Sequence, residues 1–155
     1  MRVAKCWDAL GLAQSGGTSA SADKTGLLMG LQSLRKCFKI RYDELGPWHI
    51  DTVETMNKMC NIYLKLRWYS RAKEGFMEVL TMRSAILGEQ HPSVAVAAHS
   101  LGTLHIRRNE TEQAKAYFMQ ALDIFALCGL AKHAFAERIR EKMRKLGFEE
   151  NRLEI

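Results

Sequence analysis

The residues best suited to chemistry in this chain are its five histidines and four cysteines, and their spacing decides what they can do. His49, His91 and His133 recur at intervals of 42 residues. Three imidazoles suggest zinc, whose ligands must each lie about 2 Å from one ion. A fixed interval instead puts equivalent residues on successive structural units, separated by at least one helix spacing of about 8–10 Å. The interval therefore assigns these histidines to helix starts rather than to a metal. His99 and His105 read as a groove and a core residue, not as catalytic bases. Cys6, Cys37, Cys60 and Cys128 form no C-x-x-C pair, so neither a zinc ribbon nor a thioredoxin-type site is written here. No Ser or Cys carries a local nucleophile signature, and Gly16-Gly17 lacks the rest of a phosphate loop. The expectation is a chain without catalytic residues, cofactor, metal or small-molecule substrate.

Composition sets the frame for any binding role. The 155 residues are 47% hydrophobic and carry 23 Lys and Arg against 17 Asp and Glu, a formal charge of +6. That length suffices for one domain with its own core. No apolar run approaches a membrane span, and the first eight residues hold no signal-peptide core. Scattered cysteines fit a reducing compartment. The cytoplasm is the expected location, with the nucleus as the alternative. Residues 1–50 carry +3, 51–130 carry +1 and 131–155 carry +2. The densest basic stretch, from Arg138 to Lys145, is broken by Glu141 and preceded by Glu137, a mixture that reads as a solvated helix face.

The elements that position these residues follow from an internal repeat. Residues 45–86 overlay residues 87–128 without a gap, with eight identities that include Leu45/Leu87, Gly46/Gly88, His49/His91, Ala72/Ala114 and Phe76/Phe118. Unrelated segments would agree at about two or three positions. Within each repeat, apolar residues return at helical spacing, first Val53, Met56, Met59, Cys60 and Tyr63, then Ala72, Phe76, Val79, Leu80 and Met82. Asp51 with Glu54 suggests a capped helix start, and Pro92 suits a first helical turn. Arg67–Ser70 and Arg108–Thr111 separate the stripes as tight turns. Each repeat is thus two antiparallel helices, and about three must stack to bury their stripes. The predicted fold is an all-α antiparallel helix-pair solenoid forming a single domain over residues 1–155. Repeat one covers about 3–44 with a flexible loop at 15–24, repeat two 45–86 and repeat three 87–128. A capping helix at about 131–146 and a tail at 147–155 complete it.

This arrangement resembles the tetratricopeptide repeat, a helix–turn–helix unit of about 34 residues. Leu101-Gly102, His105, Ala114, Phe118 and Ala121 occupy its signature places in repeat three, and Met59-Cys60, Tyr63, Ala72, Phe76 and Val79 occupy them in repeat two. The 42-residue period and the link Leu87-Gly88-Glu89-Gln90-His91-Pro92 look like the longer variant of kinesin light chain and nephrocystin-type proteins. The resemblance implies a right-handed superhelix whose concave wall is lined by the first helix of each pair. Asn57 and Asn61 stand where that variant carries an asparagine pair, and His99 and Thr103 replace the pair in repeat three.

On the first helices, the face beside the core carries Glu54, Asn57, Asn61 and Lys65, then Val96, His99, Thr103 and Arg107, then Arg138, Glu141 and Lys145. Asparagines suit hydrogen bonds to a peptide backbone, and the cations suit carboxylates. The expected function is a protein–protein interaction module, an adaptor or scaffold, that takes a peptide segment with an acidic bias. RNA binding is the alternative, but Asn57/His99 and Asn61/Thr103 do not repeat as a base-reading code would. A further alternative is a subunit that extends a larger assembly through its end helices.

Overall fold

Six helices are set out by the computed structural model, which describes residues 24–148. They are α1 (Lys24–Leu45), α2 (Ile50–Lys65), α3 (Tyr69–Leu87), α4 (Pro92–Arg107), α5 (Thr111–Leu127) and α6 (Ala134–Lys145). No strand occurs among the described residues. The fold class is the expected one, helix-pair repeats followed by a terminal helix. The described residues fall into two compact units, one ending at Met82 and the other beginning at Arg83, so α3 contributes to both. The expected first helix of repeat one, nearly all of its loop, and residues 149–155 of the tail lie outside the described residues.

Three helices start in the same way because the sequence repeats a histidine at the same place. His49, His91 and His133 adopt extended backbone angles, and each Nδ1 accepts the N–H two residues on. The donors are Asp51, Ser93 and Phe135, at 3.2, 3.1 and 3.1 Å. Each imidazole thereby satisfies one of the N–H groups that a helix start leaves without a partner. The cap of α2 is thus His49 rather than Asp51, which sits inside the first turn, where its carboxylate faces the positive end of the helix dipole.

Helix ends follow two repeating patterns. After α1 and α3, Gly46 and Gly88 take φ of 87° and 88°, and their N–H groups bond back to Tyr42 and Ser84. Inside the pairs, Arg67 and Asn109 take φ of 61° and 60°. Their N–H groups bond to Leu64 and Ile106, and the next N–H groups, of Trp68 and Glu110, bond to Tyr63 and His105. This double bond is the Schellman closure, and it reverses the chain in three residues. Arginine tolerates that left-handed conformation poorly.

Packing explains which positions must be small. In the first unit, Leu31, Leu34 and Cys37 of α1 cluster with Ile62 of α2, and Met59, Tyr63, Leu66 and Trp68 pack against them. A Cβ on Gly75 would lie 2.3 Å from Cys60 Sγ, so α2 and α3 approach closely there. In the second unit the small residue moves to the other helix. A Cβ on Gly102 would lie 2.6 Å from the Phe118 ring, which is fully buried. Ala95, Ala98, Leu101, Ala114 and Ala121 are fully buried as well, and α6 buries Ala136, Ile139 and Met143.

Arginine at the repeat period fastens one helix to the start of the next. Arg41 Nη1 donates to the Asp51 carbonyl at 2.9 Å and to Thr55 Oγ1 at 2.7 Å, and Arg83 Nη1 donates to the Ser93 carbonyl at 2.8 Å. Both arginines are buried. At the third equivalent position Phe125 stacks on His133 instead, with centroids 6.0 Å apart. Met77 and Met119 are exposed, and Trp48 is 57% exposed whereas Trp68 stacks on Tyr63. Cys60 and Cys128 are free thiols.

Two substitutions test this account in the full chain by urea unfolding. Gly102→Ala forces Phe118 from its place and is expected to cost about 1–3 kcal/mol. Arg67→Gly relieves a left-handed arginine and is expected to gain about 0.5–1 kcal/mol despite the added chain entropy. An unchanged midpoint for Gly102→Ala, or a loss for Arg67→Gly, contradicts the packing and turn geometry described.

Candidate functional site

The chemistry of the second unit gathers where α4 and α6 face each other. Helix α6 buries Ala136, Ile139 and Met143 along one stripe. The adjacent stripe, at spacings of three and four, is Phe135, Arg138 and Lys142, which therefore share a face. On α4 the stripe His99, Thr103 and Arg107 repeats every fourth residue. The two stripes meet at Lys142, whose Nζ lies 3.2 Å from His99 Nε2 and donates to Thr103 Oγ1 at 3.2 Å.

Aromatic rings form the floor of this meeting point. The His99 ring lies 5.6 Å from Phe118 and meets Phe135 edge-on at 5.0 Å. Lys142 Nζ stands 5.6 Å above the Phe118 centroid, and the Arg138 guanidinium stands 5.7 Å above Phe135. Cations over aromatic faces are attracted by the ring quadrupole, which holds both long side chains in one place.

The electrostatics are one-sided. Burial, reinforced by Lys142 and Arg138, pushes the His99 imidazole down to about 4, so it is neutral near pH 7. Burial also lowers Lys142, and Arg138 and Arg107 lower it further by repulsion. Among the described residues no carboxylate pairs with Arg107, Arg138 or Lys142. The acids of α6 are committed elsewhere, Glu137 to Arg140 at 2.7 Å and Glu141 to Arg144 and Lys145 at 3.0 and 3.3 Å.

The structure thus gathers three of the residues singled out in the sequence, His99, Thr103 and Arg138, around Lys142 and Phe135, with Arg107 one turn beyond Thr103 on α4. Glu141 and Lys145 pair with each other instead of completing that cluster. Val96 is half-buried, and its carbonyl accepts from the Ser100 hydroxyl. Glu54, Asn57, Asn61 and Lys65 belong to α2 in the first unit. Asn57 is buried there, and its Oδ1 meets no hydrogen-bond partner among the described residues. Asn61 and Lys65 are exposed, and Asn61 Nδ2 donates to the Asn57 carbonyl. Lys142 and Phe135 were missed, although their spacing from Arg138 was visible in the sequence.

The other titratable candidates are structural. His105 is buried, stacks on Tyr117 at 5.3 Å and pairs through Nδ1 with Glu110, which also binds Arg108 at 2.9 Å. This trio closes the turn between α4 and α5. The Cys60 thiol is pushed up to about 12, by burial first and then by Glu78, so it is not a nucleophile near neutrality. No cluster of three metal-ligating side chains occurs among the described residues.

The depressed His99 has a consequence for stability. The unfolded histidine protonates near pH 6.5, while the folded one resists protonation down to about 4. Its contribution is complete above about pH 6.5 and is lost as pH falls towards 4. The stability difference between the native chain and His99→Gln should therefore shrink from pH 7 to pH 4.5 in urea titrations. Parallel pH curves would show that His99 is not held neutral.

Residues 51–126, from α2 to α5, match the tetratricopeptide repeat model. No curated protein sequence matches the chain. Among solved structures, one of Podosopora anserina named for a kinesin light chain with nearly identical TPR-like repeats aligns with a TM-score of 0.63 at 17% identity, covering 79% of this chain and 54% of that one. BtubC (BKLC) from P. vanneervenii aligns with a TM-score of 0.59 at 19% identity, covering 83% and 61%. The chain thus spans little more than half the length of these structures, and the likeness is one of fold. The match to the tetratricopeptide repeat model spans residues 51–126, just under half of the chain, and the solved structures extend the likeness of fold to about four-fifths of it.

Proposed function

We propose that this chain docks an acidic segment of another protein on the α4/α6 face of its second unit. Tetratricopeptide repeats are protein-interaction modules in general, and this reading adds the place and the charge of the ligand. One observation carries it. Arg138 and Lys142 stand over Phe135 and Phe118, Arg107 lies near enough on α4 to add to the repulsion on Lys142, and no described carboxylate neutralises the three. An acidic ligand supplies the missing counter-charge, and charge-assisted hydrogen bonds are roughly twice as strong as neutral ones. Thr103 adds a neutral hydroxyl beside the cations. The chain acts in this reading as a non-catalytic adaptor or scaffold of the cytoplasm or nucleus.

Selection of short random peptides on the full chain tests the proposal. Asp and Glu should be enriched, and the double reversal Arg107→Glu with Arg138→Glu should weaken the selected peptides by about tenfold or more. Selection without acidic bias, or equal binding by the reversed chain, refutes it.

A further inference from the structure

Three cations on one face are more than a single carboxylate neutralises. An ionised Asp or Glu carries one negative charge, so two of the three would remain uncompensated. A phosphorylated side chain carries about −1.5 to −2 at neutral pH and offers three strong acceptor oxygens. Lys142 has three ammonium protons, of which His99 Nε2 and Thr103 Oγ1 engage two, leaving one for a ligand. Guanidinium groups present paired N–H donors that match phosphate oxygens. Arg138 lies over Phe135, which orients its plane. Neutral His99 acts as an acceptor for Lys142 and so keeps that ammonium turned towards the shared face. Beneath it, the buried Phe118 ring excludes water from one side.

We infer that the α4/α6 face is a phosphate site, taking a phosphorylated side chain of the docked segment on Lys142, Arg138 and Arg107. The inference rests on the proposed docking face and names the ligand that this face prefers. Phosphorylation of the partner then strengthens docking, since the unmodified hydroxyl adds no counter-charge to that of the neighbouring acids.

The test uses the full chain, labelled with 15N, and defined probes. Inorganic phosphate and acetate are titrated first, and the amide signals of His99 and Thr103 are followed. Phosphate should move them at lower concentration than acetate does. The peptide Asp-Glu-phosphothreonine-Asp-Glu is then compared with the peptide carrying Glu at the central position and with an oligouridylate. The phosphopeptide should bind about tenfold more tightly than its Glu counterpart. That preference should fall to about twofold or less in Lys142→Met, which keeps an unbranched side chain over Phe118. Equal affinity of the two peptides overturns the phosphate inference while leaving the acidic docking face intact. Silence of His99 and Thr103 towards every peptide overturns both readings. Oligouridylate binding more tightly than the phosphopeptide through the same residues assigns the face to nucleic acid and overturns both as well. If Lys142→Met loses its native spectrum, the shifts in the unmodified chain decide.

Discussion

The missing side chain at Gly102 is the constraint on which the second unit depends. Phe118 occupies the space that a Cβ would claim, 2.6 Å from where that atom would stand. The ring is fully buried, and its other surroundings include His99 and Lys142. One small residue on α4 therefore fixes an aromatic ring of α5, and that ring in turn positions polar groups on α4 and α6. Packing and binding chemistry share the same atoms. The first unit makes the same kind of close approach with the roles exchanged, since Gly75 of α3 receives Cys60 of α2.

Periodicity supplies the rest of the framework. A histidine accepts the second N–H of its helix at three starts, and a left-handed residue closes the helix pairs at Arg67 and Asn109. Buried arginines tie Arg41 and Arg83 to carbonyls at the next helix start. These contacts satisfy backbone groups that a helix end would otherwise leave without partners, so short links suffice. Short links keep successive helices adjacent, and adjacency lets a stripe on α4 meet a stripe on α6.

Much of this was legible in the sequence because it depends on type and spacing. The interval of 42, the histidine starts, the turns and the buried pair Phe76 and Phe118 all follow from repeated residues. So do His99, Thr103, Arg107 and Arg138, which lie at helical register on the first helices. Lys142 was not found this way because its counterparts at the period are Ser100 and Lys58, and its role depends on a long side chain reaching between helices. Asn57 misled for a different reason. It sits at the border between two helix faces, and only the packing of neighbouring helices decides that it is buried. Asp51 has the residue type of a common cap, but the imidazole two residues earlier already holds its N–H.

The central claim is that a neutral His99 accepts a hydrogen bond from Lys142 and so holds three unneutralised cations on one face. Long-range 15N–1H correlation of the imidazole nitrogens at pH 7 tests it directly. The account predicts an unprotonated Nε2 and a proton on Nδ1. A proton on Nε2, whether in the other tautomer or in an imidazolium, would mean that Lys142 does not donate to His99 and that the face is not arranged as described.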